Sequence, residues 1–103
     1  MATAFVFETP TMTAGDYDDL MAAMGLADPD APYPDGLVAH LAGAKPDGGW
    51  RVIDVWESDA LAQAFYGSDR FAPVRDHTGD GRITTTAWPM HRMGTRAATP
   101  DRV

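Results

Sequence analysis

His40 and Asp54 are the two residues in this 103-residue sequence whose types and spacing best suit acid–base chemistry. They lie on two largely apolar stretches, Leu37–Ala44 and Trp50–Glu57, joined by Lys45-Pro46-Asp47-Gly48-Gly49. Pro46-Asp47 fits the right-handed positions of a type I turn, and Gly48 fits the left-handed residue that closes it as a bulge. The turn predicts a β-hairpin in which Lys45 faces Gly49, Ala42 faces Val52, Leu41 faces Ile53, His40 faces Asp54 and Val38 faces Trp56. A slip of one residue sets His40 against Ile53 and mixes the two faces. In the predicted register a carboxylate stands opposite an imidazole, fixing its tautomer and suiting it to act as a general base near neutral pH. Trp50, Val52 and Trp56 share that face. With Trp88 they offer flat apolar walls to an aromatic ligand. The same pair also has a purely structural reading, as a buried and mutually satisfied contact that holds the hairpin in register.

The elements that must position this pair follow from the hydrophobic pattern. In the second hairpin strand Trp50, Val52, Asp54 and Trp56 point one way, and Arg51, Ile53, Val55 and Glu57 the other. Both sets hold large apolar residues, so both sheet faces need cover. Upstream, Ala4–Glu8 reads as a short strand. Thr13 is an N-cap with Asp16 at the third helical position. Tyr17, Leu20, Met21 and Met24 make one helical stripe, and Gly25 ends it. The segment from Leu26 to Gly36, rich in Pro and Asp, is a surface loop that can serve as a lid with Tyr33 at its tip. Downstream, Ser58 caps a second helix whose buried stripe is Leu61, Ala64 and Phe65. Gly67-Ser68-Asp69 interrupts it, and Phe71 and Val74 carry the apolar side onward. Gly79-Asp80-Gly81 is a turn, and Arg82–Trp88 is the last strand, stopped by Pro89. Residues 1–93 form one domain in this reading, and 94–103 a polar tail.

The resulting order is β-α-β-β-α-β, an α+β, ferredoxin-like arrangement of four antiparallel strands with both helices on one face. The His40–Asp54 face is expected on the other side, covered by a second copy of the chain. That predicts a homodimer through the sheet face.

Composition removes several classes of function. A net charge of −7, with only eight scattered basic residues, argues against nucleic acid. No apolar run is long enough to span a membrane. The absence of cysteine excludes disulfides, thiol nucleophiles and zinc–thiolate sites. Met1-Ala2-Thr3-Ala4 carries no basic stretch, so no signal peptide is expected and a cytoplasmic address follows. His40, His77 and His91 lie on separate elements without metal-ligand spacing. Asp76-His77-Thr78-Gly79-Asp80-Gly81-Arg82-Ile83 imitates the start of a calcium loop, but Thr78 stands at position three and Ala87 at position twelve, where a bidentate Glu belongs. No nucleophile elbow, phosphate loop or dinucleotide fingerprint is present.

Val55-Trp56-Glu57-Ser58, an apolar helix, and then Ser68-Asp69-x-Phe71 resemble the antibiotic-biosynthesis monooxygenase-like family of the dimeric α/β-barrel superfamily. The likeness spans Phe5 to Trp88 in element order, with the specific motif confined to Val55–Phe71. It implies two sheets paired face to face and pockets between each sheet and its surroundings. Haem-degrading relatives share the pattern and ligate iron through a histidine four residues after the motif Phe. That position here is Arg75, and His77 lies roughly 200° around the helix from it. Phe65 replaces their helix tryptophan. These departures from the pattern disfavour haem, and no bound cofactor is expected.

The reading that follows is a small cofactor-independent enzyme acting on a hydrophobic aromatic or polyketide-like metabolite. His40 would abstract a proton, and the carbanion would react with O₂ as in a monooxygenase. Cyclase, isomerase or decarboxylase chemistry would use the same step. The alternative is a non-catalytic dimer with a ligand-binding or structural role.

Overall fold

The computed structural model describes residues 2–28, 30–77 and 83–94. Its elements run β1 (Thr3–Thr9), α1 (Ala14–Ala23), β2 (Leu37–Ala44), β3 (Trp50–Trp56), α2 (Asp59–Tyr66), one 3₁₀ turn at Asp69–Phe71, α3 (Ala72–His77) and β4 (Thr84–Pro89). This is the β-α-β-β-α-β order with its second helical segment broken in two. The strands form one antiparallel sheet in the order β2-β3-β1-β4, an α+β, ferredoxin-like fold. The calcium-like turn from Thr78 to Arg82 and the tail beyond Gly94 lie outside the described residues.

The hairpin register holds from the turn outward: Ala44 pairs with Trp50, Ala42 with Val52, Leu41 with Ile53, His40 with Asp54 and Ala39 with Val55. It then departs from expectation. Val38 is bulged out of the ladder, and Leu37 rather than Val38 faces Trp56. A bulge adds one residue to one strand, which turns Leu37 inward onto the core and leaves Val38 in solvent. At the hairpin turn Gly49 has φ 87°, and a Cβ there would lie 2.3 Å from the Thr9 carbonyl oxygen. Only glycine allows β1 and the turn to approach so closely.

Local capping sets both long helices. Thr13 Oγ1 accepts from the Asp16 N–H at 3.2 Å while Asp16 Oδ2 accepts from the Thr13 N–H at 3.1 Å, a complete capping box. Ser58 Oγ accepts from the Leu61 N–H at 3.2 Å. At the far end of α2, Arg75 donates to the carbonyls of Tyr66 and Ser68 and works as a helix-end clasp.

Two expectations about packing are corrected. The helices cover the face that carries His40, Asp54, Trp50, Val52 and Trp56, not the opposite one. The reason is the distribution of apolar bulk. Register places Phe5 and Phe7 of β1 beside Asp54 and Val52, so the heaviest rings of the sheet share that face. Burying them draws the helices there. Helix α2 is also rotated relative to the predicted stripe. Ala62 is fully buried and Phe65 and Tyr66 are half-buried, whereas Leu61 and Ala64 are exposed. Phe5, Trp56 and Ala62 form the core, with Phe7, Leu37, Phe65 and Tyr66 packed on it. Phe5, Phe7 and Trp56 each meet the Tyr66 ring edge-to-face, with centroids 5.3–5.6 Å away.

The opposite face carries Ala4, Val6 and Glu8 of β1, Ala39 and Leu41 of β2, Arg51, Ile53 and Val55 of β3, and Trp88 of β4. No described element packs over Leu41 or Trp88, which are 55% and 44% exposed.

Candidate active site

Asp54 lies in the third strand under the helices, 7% exposed. Its two oxygens have different partners. Oδ1 meets His40 Nδ1 at 2.6 Å, and Oδ2 accepts from the Tyr66 hydroxyl at 2.8 Å. Tyr66 in turn accepts from Trp56 Nε1 at 2.8 Å. On the other side of the imidazole, Nε2 meets the Tyr17 hydroxyl at 2.5 Å. Five side chains from β2, β3, α1 and α2 thus form one chain of hydrogen bonds: Trp56, Tyr66, Asp54, His40, Tyr17.

The indole at one end fixes the direction of the protons. An indole N–H only donates, so Tyr66 Oη accepts it and sends its single hydrogen to Asp54. The Asp54 carboxylate then accepts the His40 Nδ1–H, which leaves Nε2 as an acceptor for the Tyr17 O–H. Burial keeps both phenols protonated. It is the leading cause that raises Tyr17 to about 12, with Tyr33 and the Asp54 and Asp18 carboxylates adding to it. Tyr66 is pushed further up by burial and then by the Asp54 charge, against a smaller opposing pull from the Trp56 N–H.

This chain forms part of the wall of a cavity between the sheet and the helices that opens to solvent at its mouth. The lining is overwhelmingly apolar. Met12, Leu20, Met21 and Met24 come from α1 and its flanks, and Phe65, Phe71 and Val74 from the second helical segment. Tyr33 and Pro34 of the long loop reach the same space. The His40 ring sits between two tyrosines, stacked at 6.0 Å from Tyr17 and tilted at 5.8 Å from Tyr33. Trp50 lies 5.3 Å from the Tyr17 ring, and its indole N–H is buried without a hydrogen-bond partner among the described residues. Gly36, at φ 87°, ends the loop against α2, where a Cβ would sit 2.5 Å from Leu61 Cδ1.

Of the residues expected at the site, His40, Asp54, Trp50, Val52, Trp56 and Tyr33 come together on this cavity. Trp88 does not. It pairs with Ala4 and therefore stands on the opposite sheet face. Tyr17, which lines the cavity, and Tyr66, which donates to Asp54, were not expected at the site. Each had a signal: a tyrosine in a buried stripe needs a partner for its hydroxyl, and a buried tryptophan needs one for its N–H. Among the described residues no cluster of three or more His, Asp or Glu side chains is placed to hold a metal ion.

No family model and no curated protein sequence matches the chain. Solved structures do match in fold. Rv0793 from Mycobacterium tuberculosis superposes with a TM-score of 0.72 at 15% identity, over 92% of this chain and 100% of that one. A dimeric ferredoxin-like protein of unknown function from Jannaschia gives 0.65 at 14% identity, over 87% and 100%. A variant of SnoaB, a cofactor-independent oxygenase from Streptomyces nogalater, gives 0.61 at 12% identity, over 89% and 94%. Structures from Deinococcus radiodurans and Nitrosomonas europaea, described as candidate antibiotic biosynthesis monooxygenases, align at 12% and 11% identity. The chain thus has the ferredoxin-like fold of antibiotic biosynthesis monooxygenase-like proteins.

Proposed function

We propose that this chain is a cofactor-independent enzyme that takes an acidic proton from a hydrophobic aromatic or polyketide-like metabolite held between its sheet and helices. His40 is the base, and Asp54 fixes its tautomer and stabilises the imidazolium that forms. The apolar lining orients the ligand and keeps water out. In the monooxygenase form the anion left behind reacts through a ring carbon with O₂, turning a methylene into a ketone and releasing water. The substrate itself supplies all four electrons that O₂ takes up. The observation that carries this reading is the His40–Asp54 pair, set in a directed hydrogen-bond chain at the wall of an apolar cavity. The fold shared with the Streptomyces oxygenase supports the chemistry without a cofactor. We further propose a cytoplasmic homodimer joined through the open sheet face of Leu41, Ile53 and Trp88, a state supported by the dimeric Jannaschia protein of the same fold.

The test is oxygen uptake and product mass with a set of polycyclic phenols and ketones. The expected result is turnover by the native chain and a loss of about 10²–10⁴-fold in His40→Ala with the fold intact. Unchanged turnover in folded His40→Ala overturns the assignment. One observation favours a second reading, a non-catalytic ligand-binding or structural dimer: every nitrogen of His40 and every oxygen of Asp54 already has a partner. That reading expects no turnover by the native chain and a stability loss of about 1–3 kcal/mol in His40→Ala.

A further inference from the structure

The hydrogen-bond chain leaves the imidazole no free nitrogen. Nδ1 is held by Asp54, and Nε2 accepts from Tyr17 at 2.5 Å. The acceptor that remains at this end is the second lone pair of Tyr17 Oη, on a half-buried ring that lines the cavity. Building on the proton-abstraction reading above, we propose that Tyr17 rather than His40 meets the ligand, and that it takes its proton from a hydroxyl on the ligand's aromatic ring.

The step is a relay. The ligand O–H bond breaks as its proton moves to Tyr17 Oη, and the Tyr17 O–H bond breaks as that proton moves to His40 Nε2. The products are a ligand phenolate, a neutral Tyr17, and an imidazolium held 2.6 Å from the Asp54 carboxylate. No electron changes hands. Tyr17 begins and ends as a neutral phenol, as its half-buried position requires, so the charge separates between ligand and His40–Asp54 without a tyrosinate. A hydroxyl relay selects its substrate class. It passes protons along hydrogen bonds between electronegative atoms, so an O–H acid is a fit donor and a C–H acid, which makes no comparable hydrogen bond, is not. The ring that bears the hydroxyl has matching surfaces, because Tyr33 and Trp50 stand beside His40 and Tyr17 with centroids 5.3–5.8 Å away. A phenolic or enolic hydroxyl on a flat apolar ring is the chemistry this wall recognises.

The experiment uses 4-nitrophenol, which absorbs in the visible only as its phenolate, with 4-nitroanisole as the analogue that lacks the proton. Binding of either is read by quenching of tryptophan fluorescence, at a pH below the phenol's own pKa. The native chain should bind both and raise the phenolate band of the first about tenfold over free solution, the equivalent of one pKa unit. Tyr17→Phe should still quench with 4-nitroanisole but lose the band. His40→Gln, which keeps an acceptor for Tyr17 but cannot take up the proton, should lose it too. A full band in Tyr17→Phe overturns the relay, because the imidazole then meets the probe directly. Quenching by the native chain without any band overturns the relay and leaves the cavity standing. If neither probe quenches, the cavity does not bind such rings, and the reading on which the relay rests falls with it.

Discussion

Trp56 and Trp88 stand on the two faces of one sheet, and the contrast between them separates what the faces do. Trp56 has no exposed surface, packs against Phe65 and Tyr66, and donates its N–H into the chain that ends at Tyr17. Trp88 is 44% exposed on a face where Leu41 is also bare. The polar groups differ as well. Under the helices each polar group of the chain is joined to the next. On the open face the polar groups form an exposed cluster in which Arg51 and Lys45 share Glu8, at 2.7 Å and 3.6 Å. A directed, water-excluded network suits moving a proton. Bare apolar residues beside exposed ion pairs suit association.

Truncation should break this contrast most sharply. Trp56→Ala removes the one large side chain among the described residues with no exposure at all, so denaturant titration should report a loss of about 3–5 kcal/mol. Trp88→Ala should change the unfolding of the dissociated chain by no more than about 0.5 kcal/mol. Next comes Tyr66→Phe. It keeps the ring packing but leaves Trp56 Nε1 and Asp54 Oδ2 without their partner, and should cost about 1–3 kcal/mol in the same measurement. A value near zero would mean that water or a side-chain shift replaces the hydroxyl. Smaller still, and on the other face, Leu41→Asp should weaken self-association about tenfold or more, read by sedimentation at several concentrations, with the aromatic near-ultraviolet signal of the core unchanged. Unaltered association in that variant removes the open face as the dimer interface.

The site was legible in sequence where the physics is local and illegible where it is not. The His40–Asp54 pairing followed from a turn whose residues admit one geometry and from alternation that tolerates no slip. The caps at Thr13 and Ser58 were legible for the same reason. Which face the helices choose is a global matter. It depends on the rings of β1, which join those of β3 only through a register that β3 alone does not reveal. The Tyr17–His40 contact crosses 23 residues and depends on how α1 is set over the sheet. The bulge at Val38 and the rotation of α2 that buries Ala62 instead of Leu61 are packing outcomes that periodicity does not fix.

The smallest effect sharpens the comparison by making the two faces fail at opposite ends of the pH scale. Tyr17 is held at about 12 in the folded chain, against about 10 when unfolded. Below pH 10 the phenol keeps its proton in both states, and its contribution is fully present. Between the two values the unfolded chain binds fewer protons than the folded one, so stability falls as pH rises. Tyr66, shifted in the same direction, continues the fall. Glu8 runs the other way. The Arg51 guanidinium, foremost through its hydrogen bond, holds this carboxyl below its ordinary value, so its contribution is present above that value and is lost as pH falls through the lowered one. Subtracting the stability profile of Tyr17→Phe from that of the native chain should therefore leave a slope on the alkaline side alone. Glu8→Gln should leave one on the acid side alone, and shallower, because the ion pairs of Glu8 lie at the surface, where solvent screens them. An undiminished alkaline slope in Tyr17→Phe would mean that Tyr66 carries it, and that the Tyr17 hydroxyl is better solvated than its place against His40 implies.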